Sequence, residues 1–307
     1  MKNINICNLK NGGMILDNLV NCPMSISSKE TEALDIVKSA IEGIRAAKNK
    51  KLNAIWLEAT GCSGNIISLL DAVNPDVIYF LREMVNLNYN NSIMAEEGER
   101  AYEEFLKTLD TEFILLVDGA VSLKDNGYYN IVARYKGKEV TALEAVKMAG
   151  IKAKYVIAVG TCASHGGISA AKPNLSECVS IGKVLEKEVI NLPGCPCNPA
   201  WVIGTIGHLI IVGKPELDNL NRPTLFYETT IHDLCERRAF FEKGIFATKL
   251  GEKTCMFKLG CRGPMTRTDC PTEKWNGHVN WPIGANTPCI GCANYSFPDG
   301  MEPFIRY

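Results

Sequence analysis

Between His232 and Cys292 the chain carries six cysteines and no sustained apolar period. The stretch opens on His232-x-x-Cys235 and closes on Cys289-x-x-Cys292. A segment that cannot present one continuous hydrophobic face has little to fold around except what its side chains bind, and thiolates at this density point to metal. Prolines at 215, 223, 264, 271, 282, 288, 298 and 303 keep every element there short.

The preceding part reads differently. Leu52 to Leu57, Phe113 to Val117, Tyr155 to Val159 and Val189 to Leu192 are short apolar runs, and Glu96 to Leu109 and Thr141 to Ala149 have helical spacing between them. This alternation predicts an α/β domain, a parallel sheet flanked by helices, followed by a smaller irregular metal-binding domain. Each strand is followed by a turn of small residues: Thr60-Gly61-Cys62-Ser63-Gly64, Asp118-Gly119-Ala120, Gly160-Thr161-Cys162-Ala163 and Pro193-Gly194-Cys195-Pro196. Open parallel sheets bind ligands beyond the carboxyl ends of their strands, so these turns are expected to converge, with Cys62, Cys162 and Cys195 as a second metal set. Helical pattern continues from Pro199 to Ile211. The expected division is 1–50, an extension with an amphipathic helix over 31–48; 51–213, the sheet domain; and 214–307, the metal-folded tail. Cys7 and Cys22 in the extension read as spare thiols.

Composition narrows the function classes. With 307 residues, 46% hydrophobic content and a formal net charge of -1, the chain reads as an ordinary globular protein. The one compact basic run, Lys48 to Lys51, reads as a solvated helix end, which argues against nucleic-acid binding. No run approaches the roughly 18 apolar residues of a membrane span, so any membrane association is expected through a partner. Thirteen cysteines behind an opening with no apolar signal segment favour metal ligation over disulfides and a cytoplasmic location. By spacing alone the tail admits iron–sulfur clusters or a pair of zinc sites, with iron–sulfur the stronger reading.

Trp56-Leu57 with Gly61-Cys62-Ser63-Gly64, then Gly160-Thr161-Cys162-Ala163-Ser164-His165-Gly166-Gly167, Pro193-Gly194-Cys195-Pro196, His232 to Arg238, Leu259 to Pro264, Trp275-Asn276 and Pro288 to Cys292 follow one another in order. This composite resembles the small subunit of [NiFe] hydrogenases over about residues 52–297. The resemblance implies a flavodoxin-like domain holding a proximal [4Fe-4S] cluster, and a less regular domain holding medial [3Fe-4S] and distal [4Fe-4S] clusters. It implies His232, Cys235, Cys255 and Cys261 as distal ligands and Cys270, Cys289 and Cys292 as medial ligands, with Pro282 where a fourth medial ligand would stand. It further implies electron transfer between a large subunit, where a nickel–iron centre splits or forms H2, and an external acceptor or donor. The expected assembly is an obligate heterodimer within a higher oligomer. No catalytic acid or base is nominated in this chain.

The proximal motif departs from the family. Where Cys-x-x-Cys is usual, the run is Cys62-Ser63-Gly64-Asn65. Asn65 or a water then supplies an oxygen, the cluster has three irons, or another group moves in. Cys197 is the foremost substitute and Asp118 a lesser one. His165, His208 and His278 read as structural or surface side chains, with His165 close enough to Cys162 to sit behind the cluster; Cys178 reads as a packed thiol. Two rivals stand beside this reading. A complex I-like iron–sulfur subunit would share the proximal fold but lack the tail's seven donors. A zinc-stabilised scaffold would have no redox role.

Overall fold

The computed structural model describes residues 51–301. The amphipathic helix expected over 31–48, and Cys7 and Cys22, lie outside the described residues. By contacts the chain divides into Met1–Lys48 and Asn49–Tyr307, and the architecture below is that of the second unit.

Five parallel strands form its centre: β1 (Leu52–Glu58), β2 (Val85–Asn90), β3 (Phe113–Asp118), β4 (Tyr155–Val159) and β5 (Ile190–Leu192), in the order β2-β1-β3-β4-β5. This is the flavodoxin-like order. Side chains alternate between two buried layers, so Ala54 and Trp56 enter one core while Ile55 and Leu57 enter the other. Burial on both faces explains why these strands read as continuous apolar runs. Strand β2 escapes that signature because it is an edge strand whose run, Val-Asn-Leu-Asn-Tyr-Asn, is half polar.

Helices cover both faces. Helix α1 (Gly64–Leu70) and the longer α5 (Pro199–Ile211) pack on one side, α2 (Gly98–Thr108) and α3 (Ala142–Lys152) on the other. On α2 and its C-cap, Tyr102, Phe105 and Leu109 step by three and four into the core. Thr141 caps α3 by accepting from the Glu144 N–H, and Asn198 caps α5 by accepting from the Ala200 N–H with Pro199 in the first turn. Between β4 and the later elements, α4 (Gly160–His165) starts directly at the strand end.

The segment after Lys214 contains one-turn helices, among them α6 (Ile231–Leu234) and α7 (Arg238–Glu242), and isolated bridges. Its buried side chains Tyr227, Ile231, Trp281, Ile283 and Ala293 join the layer formed by α1, α5 and the sheet. Two buried arginines substitute for missing regular structure. Arg237 donates to the Glu252 and Thr254 carbonyls and to Asn286. Arg222 grips Asp218, whose other oxygen accepts from the Leu220 and Arg222 N–H groups.

Burial pushes the Asp218 carboxyl up, but these donors outweigh it and hold the pKa below the usual carboxylate value. A folded pKa below the unfolded one stabilises above the unfolded value and loses that contribution as pH falls through the folded one. Asp218→Asn is therefore expected to cost about 2 kcal/mol near neutrality, with the gap to the parent closing in acid; thermal melts of both proteins from about pH 7 to pH 3 would show it. A gap that stays constant over that range would assign the loop's stability to something other than the ion pair.

Candidate metal centres

Four of the five strands end within one neighbourhood, and the turns there are zipped together. The Ala59 N–H donates to the Asp118 carbonyl at 2.6 Å, and Thr60 and Ala120 exchange backbone bonds at 2.8 and 2.9 Å. Gly119, at φ +89, permits this approach, since a Cβ there would lie 2.7 Å from the Thr60 carbonyl carbon. Cys62 follows β1 and is exposed, while Cys162 on α4 and Cys195 after β5 are half-buried. Burial pushes the Cys195 thiol up to about 12, and the charges that add to the shift belong to Cys292, Cys162, Cys62 and Asp118. The three thiols named from the strand-end turns thus share one electrostatic environment.

Asn65 and Cys197 sit differently. The Asn65 amide donates to Asp118 Oδ1 at 2.6 Å and more weakly to the Val159 carbonyl, and its oxygen accepts from the Cys197 N–H at 2.7 Å. Its polar group joins β3, β4 and the Cys195 turn, so the oxygen expected as a ligand already accepts one protein hydrogen bond. Cys197 is 1% exposed, packs in the α1–α5 layer and directs its thiol to the Asn198 carbonyl at 3.6 Å. The turn also admits a second register, in which Cys62 closes the pair and Ala59 stands at its start. In either register this turn supplies a single thiolate.

The tail builds two further sites. His232 on α6, Cys235, Cys255 and Cys261 line one cavity, walled by Arg237 and Phe257. Thr230 caps α6 by accepting from the Asp233 N–H, and the His232 ring stands edge-on to Phe241 at 4.6 Å. Cys235 accepts from the Arg237 N–H at 3.4 Å. Cys270, Cys289 and Cys292 line a second, open cavity of about 320 Å³ together with Cys195 and Pro282. Trp275 Nε1 donates to Cys270 Sγ at 3.3 Å and the Gly291 N–H to Cys289 Sγ at 3.4 Å. Thr161 Oγ1 donates to the Cys292 carbonyl, binding this loop to the start of α4.

The donor sets suit iron and sulfide. Every described cysteine is a free thiol. Burial raises the pKa of Cys235, Cys261, Cys289 and Cys292 and takes Cys270 to about 12, so thiolates there need a cationic partner. Backbone and indole N–H groups aimed at the sulfurs are the contacts that tune such clusters. Among the described residues no three His, Cys, Asp or Glu side chains close on the position of a single ion; the donors stand around cavities instead.

Sequence reasoning did not single out Asp269 or Arg237. Asp269 accepts from Trp201 Nε1 at 2.5 Å directly before Cys270. Its carboxyl is pushed up to about 8 by burial and by Glu273, against the indole bond. The remaining histidines are placed away from the donor sets: His208 bonds the Gly213 carbonyl at the end of α5, and His278 bonds the Glu273 carbonyl at the surface. His165 packs against Tyr295, and burial lowers its pKa to about 4. Cys178 is packed beside Ser176.

Comparison with known proteins gives two family matches. Residues 227–305 match the family of the C-terminal part of the NiFe/NiFeSe hydrogenase small subunit. Residues 62–209 match the NADH ubiquinone oxidoreductase 20 Kd subunit family. The periplasmic [NiFeSe] hydrogenase small subunit of Desulfomicrobium baculatum is 36% identical over 83% of this chain and 87% of its own length. The periplasmic [NiFe] hydrogenase small subunit of Solidesulfovibrio fructosivorans is 35% identical, covering 83% and 81%. A solved structure of H2-activated Desulfomicrobium baculatum [NiFeSe]-hydrogenase superposes with a TM-score of 0.80 at 35% identity, over 83% of this chain and 99% of that one.

Proposed function

The chain belongs to the [NiFe] hydrogenase small-subunit family, and from that premise we propose that it carries electrons between a large-subunit nickel–iron centre and an external redox partner through three iron–sulfur sites. The observation that carries this reading is the linkage of donor sets: Cys195 belongs to the strand-end thiols and also lines the cavity of Cys270, Cys289 and Cys292, and Arg262, next to Cys261 in the cavity of His232, Cys235 and Cys255, donates its N–H to the Cys289 carbonyl. Iron–sulfur clusters, when bound, supply the one-electron steps. The protein holds them, keeps water out and directs N–H groups at the ligating sulfurs.

In this proposal Cys62, Cys162 and Cys195 hold the proximal cluster. Cys270, Cys289 and Cys292 hold a medial [3Fe-4S] cluster; Pro282 in the cavity wall offers no fourth donor. His232, Cys235, Cys255 and Cys261 hold a distal [4Fe-4S] cluster, which is the exit. Exposed apolar side chains on and just after α1, the helix that Cys62 leads into, support a large-subunit face there: Ile67 and Leu70 are 64% and 47% exposed, and Val73 57%. H2 splitting itself, with release of two protons and two electrons, belongs to the large subunit. We also propose a cytoplasmic location; among the described residues no helix is long and apolar enough to cross a membrane, so contact with one would run through a partner. Cell fractionation with antibody detection tests this, and recovery of the protein in the periplasmic fraction would refute it.

The complex I-like reading accounts for residues 62–209 and leaves the tail's donors without a purpose, so it is the weaker one. The deciding experiment is iron, acid-labile sulfide and zinc on the anaerobically purified heterodimer. About eleven irons per small subunit, after allowing for the single iron of the large-subunit centre, fits three clusters with a four-iron proximal site, and about ten a three-iron one. Zinc with little sulfide would overturn the redox reading.

A further inference from the structure

We propose that the fourth ligand of the proximal cluster is a carboxylate oxygen of Asp118; this rests on the hydrogenase reading above and concerns only how the strand-end site is completed. Asp118 ends β3, the central strand, and is paired in the sheet with Glu58 of β1 and Val159 of β4. Its neighbours on either side therefore lead into the turn of Cys62 and the helix of Cys162.

The side chain is 2% exposed. Oδ1 accepts from Asn65 Nδ2 at 2.6 Å, whereas Oδ2 is buried and, among the described residues, has no hydrogen-bond partner. A buried carboxylate oxygen left without a donor is expensive, and native proteins rarely keep one without a use for it. The clasp from Asn65 fixes the carboxyl and leaves its other oxygen for coordination. The same clasp gives Asn65 its role, as a positioning residue for Asp118 that also holds the Cys197 N–H.

Two close approaches bring Asp118 to the thiols. A Cβ on Gly61, next to Cys62, would lie 3.7 Å from Asp118 Oδ1 and 2.9 Å from Gly119 Cα. The Cys62 and Asp118 turns thus meet at backbone contact. Charge argues the same way. A carboxylate carries the charge of the thiolate it replaces, so Asp118 keeps the net charge of a four-thiolate cluster, whereas an amide or water would leave it one unit less negative. Hard oxygen is a poorer match to iron than sulfur, so the site is expected to be distinguishable by spectroscopy.

The test uses the intact heterodimer, enriched in 57Fe. In the parent protein, Mössbauer spectra are expected to show one proximal iron with the larger isomer shift of an oxygen-ligated site beside three sulfur-bound ones. Asp118→Asn retains an acceptor for Asn65 but cannot offer an anionic oxygen; it is expected to lose that iron, lowering the content by about one per complex. Asp118→Cys is expected to convert the distinct iron to a sulfur-type signal. Four equivalent sulfur-bound irons or a three-iron proximal cluster in the parent would overturn the proposal, and that spectrum decides even if both variants fail to fold. An oxygen-type iron surviving in Asp118→Ala, which offers no side-chain oxygen, would also overturn it, assigning the ligand to another oxygen. A complex without sulfide or any cluster spectrum would instead sink the functional reading itself.

Discussion

Gly119→Ala is expected to destabilise the protein by about 3 kcal/mol or more and to strip iron from the strand-end site. Two independent penalties act at this position. The backbone sits at φ +89, and an added Cβ would lie 2.7 Å from the Thr60 carbonyl carbon and 2.9 Å from the Gly61 nitrogen. Backbone atoms cannot step aside as a flexible side chain can, so the two turns must part, and Asp118 moves away from Cys62. Gly137 supplies the control. It occupies the two-residue hairpin turn Lys136-Gly137, also at positive φ, but a Cβ there would meet nothing within 4 Å among the described residues. Gly137→Ala should cost only about 1 kcal/mol, the strain alone. Denaturant melts of both variants, with iron determined on each purified complex, separate the effects; equal losses would mean that the turn contact contributes nothing.

Trp201→Ala should cost about 3–5 kcal/mol, because it opens a cavity where the sheet layer meets the tail. The indole is 2% exposed, packs against Tyr227 and Trp275 at ring separations of 5.2 and 6.3 Å, and lines the cavity of Cys270. Its Nε1 also supplies the hydrogen bond to Asp269. Trp201→Phe isolates that last contribution. It keeps most of the volume and leaves Asp269 without its indole donor, for about 1–3 kcal/mol. Electron paramagnetic resonance of the oxidised complex provides a second readout, since Asp269 precedes Cys270: the medial signal should broaden in both variants. An unchanged signal in Trp201→Ala would show that Cys270 is positioned without help from the indole.

The sheet was readable because burial on two faces writes an unbroken apolar run into β3 and β4 and one interrupted by a single asparagine into β1 and β5, with a small-residue turn after each. Strand β2 was not, since an edge strand tolerates the asparagines of its alternating run. The donors of the tail could be named from residue type and order, but their partition between two cavities depends on side chains such as Arg237 that replace secondary structure with hydrogen bonds to carbonyls far along the chain. No local period announces such a residue. Asn65 shows the other limit. Its place beside Cys62 suggested a ligand, whereas its amide bridges positions 53, 94 and 132 residues away. Asp118 could be placed at a strand end, but its unpartnered oxygen is a three-dimensional fact.

The loop carrying Cys292 is tied by its carbonyl to Thr161, one residue before Cys162, and Cys195 stands in the wall it shares with Cys270 and Cys289. In the proposed relay, neighbouring stations are therefore mounted on shared backbone. Tunnelling falls off exponentially with separation, so such a mounting fixes the rate of the hop as a property of the folded chain. Motions at the outer end, the exit of the proposed relay, would then gate arrival and departure while the inner step keeps its pace.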